Sequence, residues 1–124
     1  MKRAGAFRIF EVTMNLVVDK AGEVSIVVLP DEYLDASNST DFKDSIADLL
    51  EGKGKVVLEM SAVEFVDSSG CGAILSCLRK LNANGGDLKL CCVTKPVRTL
   101  FELVRMHRVF DILNTRDEAA RAFA

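Results

Sequence analysis

Short apolar runs alternate along this chain with longer segments in which apolar residues recur at helical spacing. The short runs are rich in β-branched or other apolar residues and are bounded by glycine, proline or charged side chains, as is typical of buried strands. The first two predicted strands are joined at Ala21-Gly22. The predicted strands are about residues 11–19, 23–29, 56–60, 88–93 and 111–113.

Between the strands, apolar residues recur every three or four positions, which predicts helices that each bury one face. Gly52 and Gly54 are placed to end the first helix and Gly85 and Gly86 the second, while Pro96 suits the first turn of the third. The three apolar stripes are Phe42, Ile46, Leu49 and Leu50; Ile74, Cys77, Leu78 and Leu81; and Val97, Leu100, Phe101 and Val104.

A fourth helix is predicted near the end of the sequence, where Thr115 and Glu118 have the T-x-x-E spacing of a capping box. Strands that alternate with helices imply right-handed crossovers and a mostly parallel sheet. The fold class is therefore α/β: a mixed, mostly parallel sheet of four to five strands with about four helices packed against it. One domain is expected over residues 14–124, with residues 1–13 as an N-terminal extension or edge strand.

Charge and hydropathy exclude several classes of protein. The chain has 124 residues, 16 basic and 18 acidic, with net charge −2 and a pI near 5.4, so no excess of positive charge favours nucleic acid. The longest apolar stretch without a charge, residues 68–78, is far shorter than the roughly 20 residues of a membrane span. No apolar signal-peptide core follows Met1, Lys2 and Arg3. The protein is expected in the cytoplasm, with no membrane span.

The cysteines and the single histidine predict neither a metal site nor an enzyme. Cys71, Cys77, Cys91 and Cys92 have C-x5-C and C-C spacings that match no zinc ligand pair, and His107 is remote from all four. Buried, reduced thiols in a reducing compartment are the simpler interpretation. One histidine leaves little for a catalytic triad. The sequence predicts no catalytic residue, no metal ligand and no cofactor.

Candidate chemistry is concentrated where residues 63–72 join a strand to the central helix. Asp67, Ser68, Ser69, Gly70 and Gly72 gather at one helix N-terminus, where unpaired N–H groups and a partial positive charge favour an anion such as phosphate. The two glycines would let another molecule approach the backbone closely. The alternative is that the aspartate and serines only cap and turn the chain.

Four known templates fail at this segment. Neither serine has the G-x-S-x-G context of a nucleophile elbow, so a serine hydrolase is not supported. The dinucleotide fingerprint lacks its third glycine, and the Walker A lysine is missing. Asp31, Asp67 and Lys95 imitate the acidic pocket and lysine of a response-regulator receiver. Only one helix and one strand fit between Asp67 and Lys95, however, whereas that fold needs a further βα unit.

Residues 55–72 read KVVLEMSAVEFVDSSGCG and resemble the signature of the STAS-domain anti-sigma-factor antagonists, in which D-S-S-G-x-G leads into the central helix. Shorter matches lie at residues 34–36, 85–88 and 109–119, so the resemblance covers roughly residues 14–122. It implies a single STAS-like domain. It also implies an anti-sigma-factor antagonist that releases a sigma factor by binding the anti-sigma factor.

In that family the serine directly after the aspartate is phosphorylated, which here is Ser68. The resemblance implies that the kinase is the anti-sigma factor itself, of the histidine-kinase-like ATPase type, and that a phosphatase acts on phosphorylated Ser68. It places Asp35 beside the phosphorylation site, although a plain helix-capping role suits Asp35 equally. The expected partner-binding residues are Asp35, Asp67, Ser68, Ser69, Gly70, Cys71 and Gly72.

The roles of three of these residues and one alternative function remain open at this point. Ser69 is expected to cap the helix, and Asp67 to orient the Ser68 hydroxyl or contact the partner. Cys71 stands where the family more often has leucine, so it is either a modest packing change or a redox-sensitive position. Alternatively, a STAS protein of this kind can serve as a regulatory subunit bound to the ATPase of a lipid ABC transporter.

Overall fold

The computed structural model describes residues 14–51 and 54–123, so the extension expected at residues 1–13 lies outside the described residues. The strands are β1 Val17–Ala21, β2 Val24–Val28, β3 Tyr33–Leu34, β4 Lys55–Glu59, β5 Phe65–Val66, β6 Asp87–Cys91 and β7 Ile112–Leu113. The helices are α1 Ser39–Ile46, α2 Ser68–Ala83, α3 Lys95–Leu103 and α4 Arg116–Arg121, with 3-10 turns at Ala47–Leu50 and Met106–Arg108.

The main sheet has five strands in the order β1-β2-β4-β6-β7. The β1 strand runs antiparallel to β2, and the other neighbours are parallel. This confirms the predicted mixed α/β fold. The first strand was predicted over residues 11–19, but among the described residues it begins at Val17. Residues 14–16 instead form a tight turn, in which the Leu16 N–H donates to the Met14 carbonyl at 3.0 Å.

Helices α1, α2 and α3 cover one face of the sheet, and α4 covers part of the other. Alternation along each strand separates the two faces. Val56 and Leu58 of β4 point into the larger core, whereas Val57 between them packs in the smaller cluster with Ala119 of α4. The predicted apolar stripes supply nine of the buried residues of the larger core, and strands and loops supply most of the others.

One stripe residue is an exception. The sequence predicts Val104 on the buried face of the third helix, and this is wrong: α3 ends at Leu103, and Val104 is 49% exposed. Arg105 follows with a φ of +66°, in the left-handed region that ends a helix. The chain therefore leaves the helical path before Val104 can turn inward.

The fourth helix begins as predicted. The Thr115 hydroxyl accepts a hydrogen bond from the Glu118 N–H at 3.1 Å, and the Glu118 carboxylate accepts one from the Asn114 N–H at 3.0 Å. The second bond reaches the residue before the N-cap, one position earlier than in a standard capping box. Together these bonds satisfy one N–H group of the first turn of α4 and one of the residue that precedes its N-cap.

Arg116, the first residue of α4, ties this helix to the sheet. Its guanidinium donates to Asp19 at 2.9 Å and to Glu59 at 3.4 Å. Burial of Glu59 raises the pKa of its carboxyl, but hydrogen bonds from Ser61, together with Arg116, outweigh that effect, so the pKa lies below its usual value. The charge on Glu59 therefore stabilises the folded state.

A second, two-stranded sheet lies outside the main one. Strands β3 and β5 pair in parallel, with Tyr33 beside Phe65 and Leu34 beside Val66. Neither strand is predicted from the sequence, because two residues are too few to show a period. This small sheet brings the loop after Leu34 against the first turn of α2, which positions the candidate site.

Candidate functional site at the start of helix α2

Asp67 both caps α2 and links it to a neighbouring loop. One carboxylate oxygen, Oδ1, accepts from the Gly70 N–H at 2.9 Å, which satisfies an N–H group of the first turn. The other, Oδ2, accepts from the Ala36 N–H at 3.1 Å. The Asp67 N–H in turn donates to the Leu34 carbonyl at 3.3 Å. The start of α2 is therefore held in place from both sides of Asp67.

This arrangement corrects the prediction that Ser69 caps the helix. The cap is Asp67, whose extended backbone directs its carboxylate at the third residue of the helix, whereas Ser69 already lies in the first turn. Ser68 and Ser69 are both exposed. Within residues 14–51 and 54–123, neither hydroxyl forms a hydrogen bond to another protein group. The Ser68 hydroxyl is consequently available to an incoming molecule.

The two glycines of the motif have different roles. This corrects the prediction that both let another molecule approach the backbone closely. Gly70 is buried, and a Cβ atom there would lie 2.1 Å from the Leu34 carbonyl oxygen and 2.8 Å from a Val66 methyl group. Its small size lets α2 pack against β3 and β5. Gly72 is exposed, with nothing within 4 Å of a Cβ position, so it alone leaves open space.

Cys71 is half-buried in the first turn of α2 and packs against the larger core. Burial raises the pKa of its thiol, and the charge of Asp67 raises it further. A thiol with a raised pKa holds little of the reactive thiolate at neutral pH. The packing interpretation of Cys71 is therefore favoured over the redox one.

Asp35 lies in the loop that contacts Asp67, but its carboxylate is turned to its own segment. It accepts hydrogen bonds from the N–H and hydroxyl of Ser37, at 2.9 and 2.6 Å. Asn38, not Asp35, is the N-cap residue of α1, and its side-chain oxygen accepts from the Asp35 N–H. Asp35 thus shapes the loop whose next residue, Ala36, donates to Asp67.

A largely apolar groove of about 410 Å³ opens beside Ser68, between α2 and the end of α3. Its lining residues are Asp67, Ser68, Cys71, Gly72, Leu75, Leu100, Val104 and Met106. Sequence reasoning missed this groove. The available signal was the stripe of α3, in which Leu100 and Val104 are four residues apart and were assigned to the core.

Two aromatic side chains are exposed on the small sheet. Phe65 lies three residues before the start of α2, and Tyr33 lies on the strand that pairs with it. Tyr33 is 42% exposed and Phe65 is 55% exposed, and the β3–β5 pairing sets them side by side. Sequence reasoning missed Phe65 as well, because alternation in a two-residue strand cannot be read. These two rings form a separate exposed apolar pair on the small sheet.

The described part of the chain contains no group of three or more histidine, cysteine, aspartate or glutamate residues placed to hold a metal ion. Among the helices it defines, none combines the length and apolar character that crossing a membrane requires.

Comparisons with known proteins agree on one family. The family model of the STAS domain matches residues 15–119. A protein of Bordetella bronchiseptica, named as a candidate anti-sigma factor antagonist, is 28% identical over 111 residues, which cover 89% of this chain and 95% of that protein.

Two solved structures show the same fold. The crystal structure of a candidate anti-sigma factor antagonist from Thermotoga maritima has a TM-score of 0.78 at 28% identity, over 86% of this chain and 92% of that one. The Bacillus cell fate determinant SpoIIAA in its phosphorylated form has a TM-score of 0.65 at 19% identity, over 88% and 99% of the two chains. This chain belongs to the STAS domain family.

Proposed function

We propose that this protein is an anti-sigma-factor antagonist whose binding to an anti-sigma factor is switched off by phosphorylation of Ser68. One observation carries the proposal: the Ser68 hydroxyl is exposed directly after the Asp67 cap, at the edge of an apolar groove. Its exposure makes it accessible to a kinase, and its place beside apolar surface makes it part of a docking site. The naming of relatives as anti-sigma factor antagonists supports the proposal.

The fold is expected to tolerate the phosphate. Ser68 is the first residue of a 16-residue helix, where the aligned peptide dipoles present positive potential. Beyond the Asp67 cap, the first turn of α2 contains no acidic residue. A phosphate at this position is therefore favoured by its own helix.

A partner docked on the same surface would experience the opposite effect. Phosphorylation adds about −1.5 to −2 charge to a serine. At about 5 Å from an acidic group of the partner, with an effective dielectric constant near 20, each added unit of charge costs on the order of 3 kcal/mol. That is enough to weaken binding about a hundredfold. The modification thus removes the partner and leaves the domain folded.

Ser68 is the phosphate acceptor in this scheme, and the partner performs the chemistry. An anti-sigma factor that is also a serine kinase of the histidine-kinase-like ATPase type would supply ATP, Mg²⁺ and the catalytic base. A phosphatase would restore the Ser68 hydroxyl. The unmodified protein would hold the anti-sigma factor in the cytoplasm and so release a sigma factor.

Mapping the phosphate tests acceptor and partner together. The purified protein is incubated with ATP and candidate kinases from the same cell, and phosphorylated residues are located by mass spectrometry. Phosphate on Ser68, lost in Ser68→Ala and retained in the matched control Ser69→Ala, is the expected result. Phosphate only on Ser69, or on neither serine, contradicts the proposal.

Affinity for the partner provides the second test. Ser68→Asp is expected to weaken binding to the kinase by about tenfold to a hundredfold while the melting temperature stays within a few degrees of the parent value. Equal affinity of the parent and Ser68→Asp proteins would rule out the switch. Co-purification with the ATPase of a lipid transporter, without phosphorylation, would favour the alternative function.

A further inference from the structure

The segment that follows α3, beside the groove that Ser68 lines, combines exposed apolar side chains with basic ones. At the end of α3, Leu103 is 78% exposed, and in the segment that follows, Val104 is 49% and Val109 54% exposed. Such side chains are normally covered when they cluster, and a cluster this close to a groove is characteristic of an interaction surface. Val104 belongs to both features, because it also lines the groove between α2 and α3. The apolar surface therefore continues from the groove along the segment that follows α3.

The charged side chains of the segment that follows α3 are basic. Residues 103–109 include Arg105, His107 and Arg108 and contain no acidic residue. Arg105 lies between two lining residues of the groove, Val104 and Met106. On α2, Arg79 is exposed one turn after the lining residue Leu75. This local excess contrasts with the net charge of −2 of the whole chain.

The arginines around the groove are not engaged in ion pairs with other described residues. Within residues 14–51 and 54–123, the basic partners in ion pairs are Lys55, Lys89, Arg116 and Arg121. None of these ion pairs uses Arg79, Arg105 or Arg108. All three side chains belong to exposed residues. Their charges are therefore available to a partner without breaking an interaction of that described part.

The loop on the other side of Asp67 has the opposite charge. Ala36 of this loop donates to Asp67, and residues 30–38 include Asp31, Glu32 and Asp35 and no basic residue. A negatively charged segment is repelled by this loop and by Asp67, which lines the groove beside Ser68, and is attracted by the arginines around the groove. The two sides together restrict both the position and the sign of what can bind.

We infer that the groove between α2 and α3 receives an acidic amphipathic segment of the partner. Its aliphatic side chains would lie between Leu75, Leu100 and Val104, and its carboxylates would pair with Arg105, Arg108 and Arg79. A helix with apolar residues at i, i+3, i+4 and i+7 is the form that such grooves commonly bind. The inference rests on the proposed function, in that the segment belongs to the protein that phosphorylates Ser68.

This occupant accounts for the direction of the switch. Ser68 lines the same groove. A phosphate there would place negative charge against a segment that is itself negative, so the segment would leave. A basic segment would instead bind more tightly after phosphorylation, and the modification would then promote the complex. The positive charge of the arginines around the groove is thus consistent with a phosphorylation that dissociates the partner.

Binding of two designed peptides tests the inference without knowledge of the partner. One 16-residue helical peptide presents leucines at i, i+3, i+4 and i+7 with glutamates beside them, and its twin has lysines in place of the glutamates. The acidic peptide is expected to shift the amide NMR signals of Leu75, Leu100 and Val104. It is also expected to bind at least about tenfold more tightly than the basic one at low salt.

Charge reversal on the protein provides matched controls. Arg105→Glu combined with Arg108→Glu is expected to weaken binding of the acidic peptide at least about tenfold, with a smaller effect at 0.5 M salt. Lys43→Glu, an equally exposed change on α1, should leave binding within about twofold. Circular dichroism confirms that each variant is folded. Equal binding of both peptides, or signals that shift elsewhere, overturns the inference.

The kinase identified by phosphate mapping separates this inference from the proposed function. If Ser68 is phosphorylated but the Arg105→Glu, Arg108→Glu variant binds the kinase as tightly as the parent does, the groove inference is wrong and the proposed function stands. If the acidic peptide binds at the groove and no kinase modifies Ser68, the groove chemistry stands and the phosphorylation switch fails.

Discussion

Helices α2 and α4 begin with the same device and then differ. In each, the N-cap side chain accepts a hydrogen bond from the N–H three residues later: Asp67 from Gly70 at 2.9 Å, and Thr115 from Glu118 at 3.1 Å. The first turn of α4 then contains two acidic residues, Asp117 and Glu118, whereas that of α2 contains none. The positive end of α4 thus faces two carboxylates of its own first turn, whereas that of α2 faces only the carboxylate of its cap, Asp67.

The difference separates a structural cap from a site. A capping pattern occurs in both helices, so it does not by itself mark function. What distinguishes α2 is that its first turn contains no acidic residue and presents the exposed Ser68 and Ser69 beside an apolar groove. At the N-terminus of α4, Arg116 instead forms ion pairs with Asp19 and Glu59. Changes at the two entrances should therefore have different consequences.

The largest effect is expected at Gly70. Gly70→Ala would place a methyl group 2.1 Å from the Leu34 carbonyl oxygen, so α2 or the β3–β5 pair must shift. We expect the free energy of unfolding to fall by about 3 kcal/mol. The matched control, Gly72→Ala, has open space and gains helix propensity, so it should raise stability by up to about 1 kcal/mol. Urea denaturation measures both, and similar values for the two variants would contradict the packing role of Gly70.

A smaller effect should come from removing the two caps. Asp67→Ala loses a cap and the bond to Ala36, and should cost about 2 kcal/mol, whereas Thr115→Ala loses one cap bond and should cost about 1 kcal/mol. Asp67→Asn is the informative intermediate, because an amide keeps only one acceptor oxygen. Thermal and urea unfolding report the order. A cost for Thr115→Ala that exceeds that of Asp67→Ala would refute the linking role of Asp67.

Adding a carboxylate at the N-terminus of α2 and removing one at the N-terminus of α4 should have opposite effects on the free energy of unfolding. Ser68→Asp supplies a negative charge to the first turn of α2 and should raise the free energy of unfolding by about 0.5 kcal/mol. Asp117→Asn removes one from α4 and also breaks the pair with Arg121, so it should lower stability by a similar amount. Urea unfolding at low salt resolves the signs. A loss of more than about 1 kcal/mol in Ser68→Asp would show that α2 does not accept the charge.

The smallest effect is a dependence on pH at the α4 side. Because the pKa of Glu59 is lowered in the folded protein, its contribution is complete above the pKa of the unfolded chain and is lost as the pH falls through the folded value. Parent protein and Glu59→Gln should therefore differ more at pH 7 than at pH 3. Unfolding curves over that range test this, and a constant difference would mean that the Glu59 charge is not coupled to folding.

The main elements of the fold follow from the sequence because they have enough residues to show a period. The buried strands β2, β4 and β6 and the stripes around Phe42, Ile74 and Phe101 all lie where the pattern places them. The capping box at Thr115 was equally visible, since it depends on two residues at fixed spacing. Ser68 was identified from the D-S-S-G motif, and the structure leaves its side chain exposed.

The parts that sequence reasoning missed depend on contacts between distant segments. Nothing local shows that the Leu34 carbonyl lies over Gly70, or that Ala36 donates to Asp67, because both contacts join residues more than 30 positions apart. Ser69 was assigned as the cap because serine is as good a cap as aspartate, and only the backbone at Asp67 decides between them. Val104 followed the helical period, which cannot show that the helix has already ended.

The attachment of α2 to the loop after β3 constrains how any signal at Ser68 can be transmitted. Two hydrogen bonds to this loop, the cap bond of Asp67 and the packing of Gly70 under the Leu34 carbonyl hold the first turn, so any shift of its backbone would have to break several contacts at once. Backbones of the modified and unmodified protein should accordingly superimpose. A partner must then sense the serine itself, since no rearrangement elsewhere on the surface would report its state, and a small molecule bound far from α2 would have no means of imitating the phosphate.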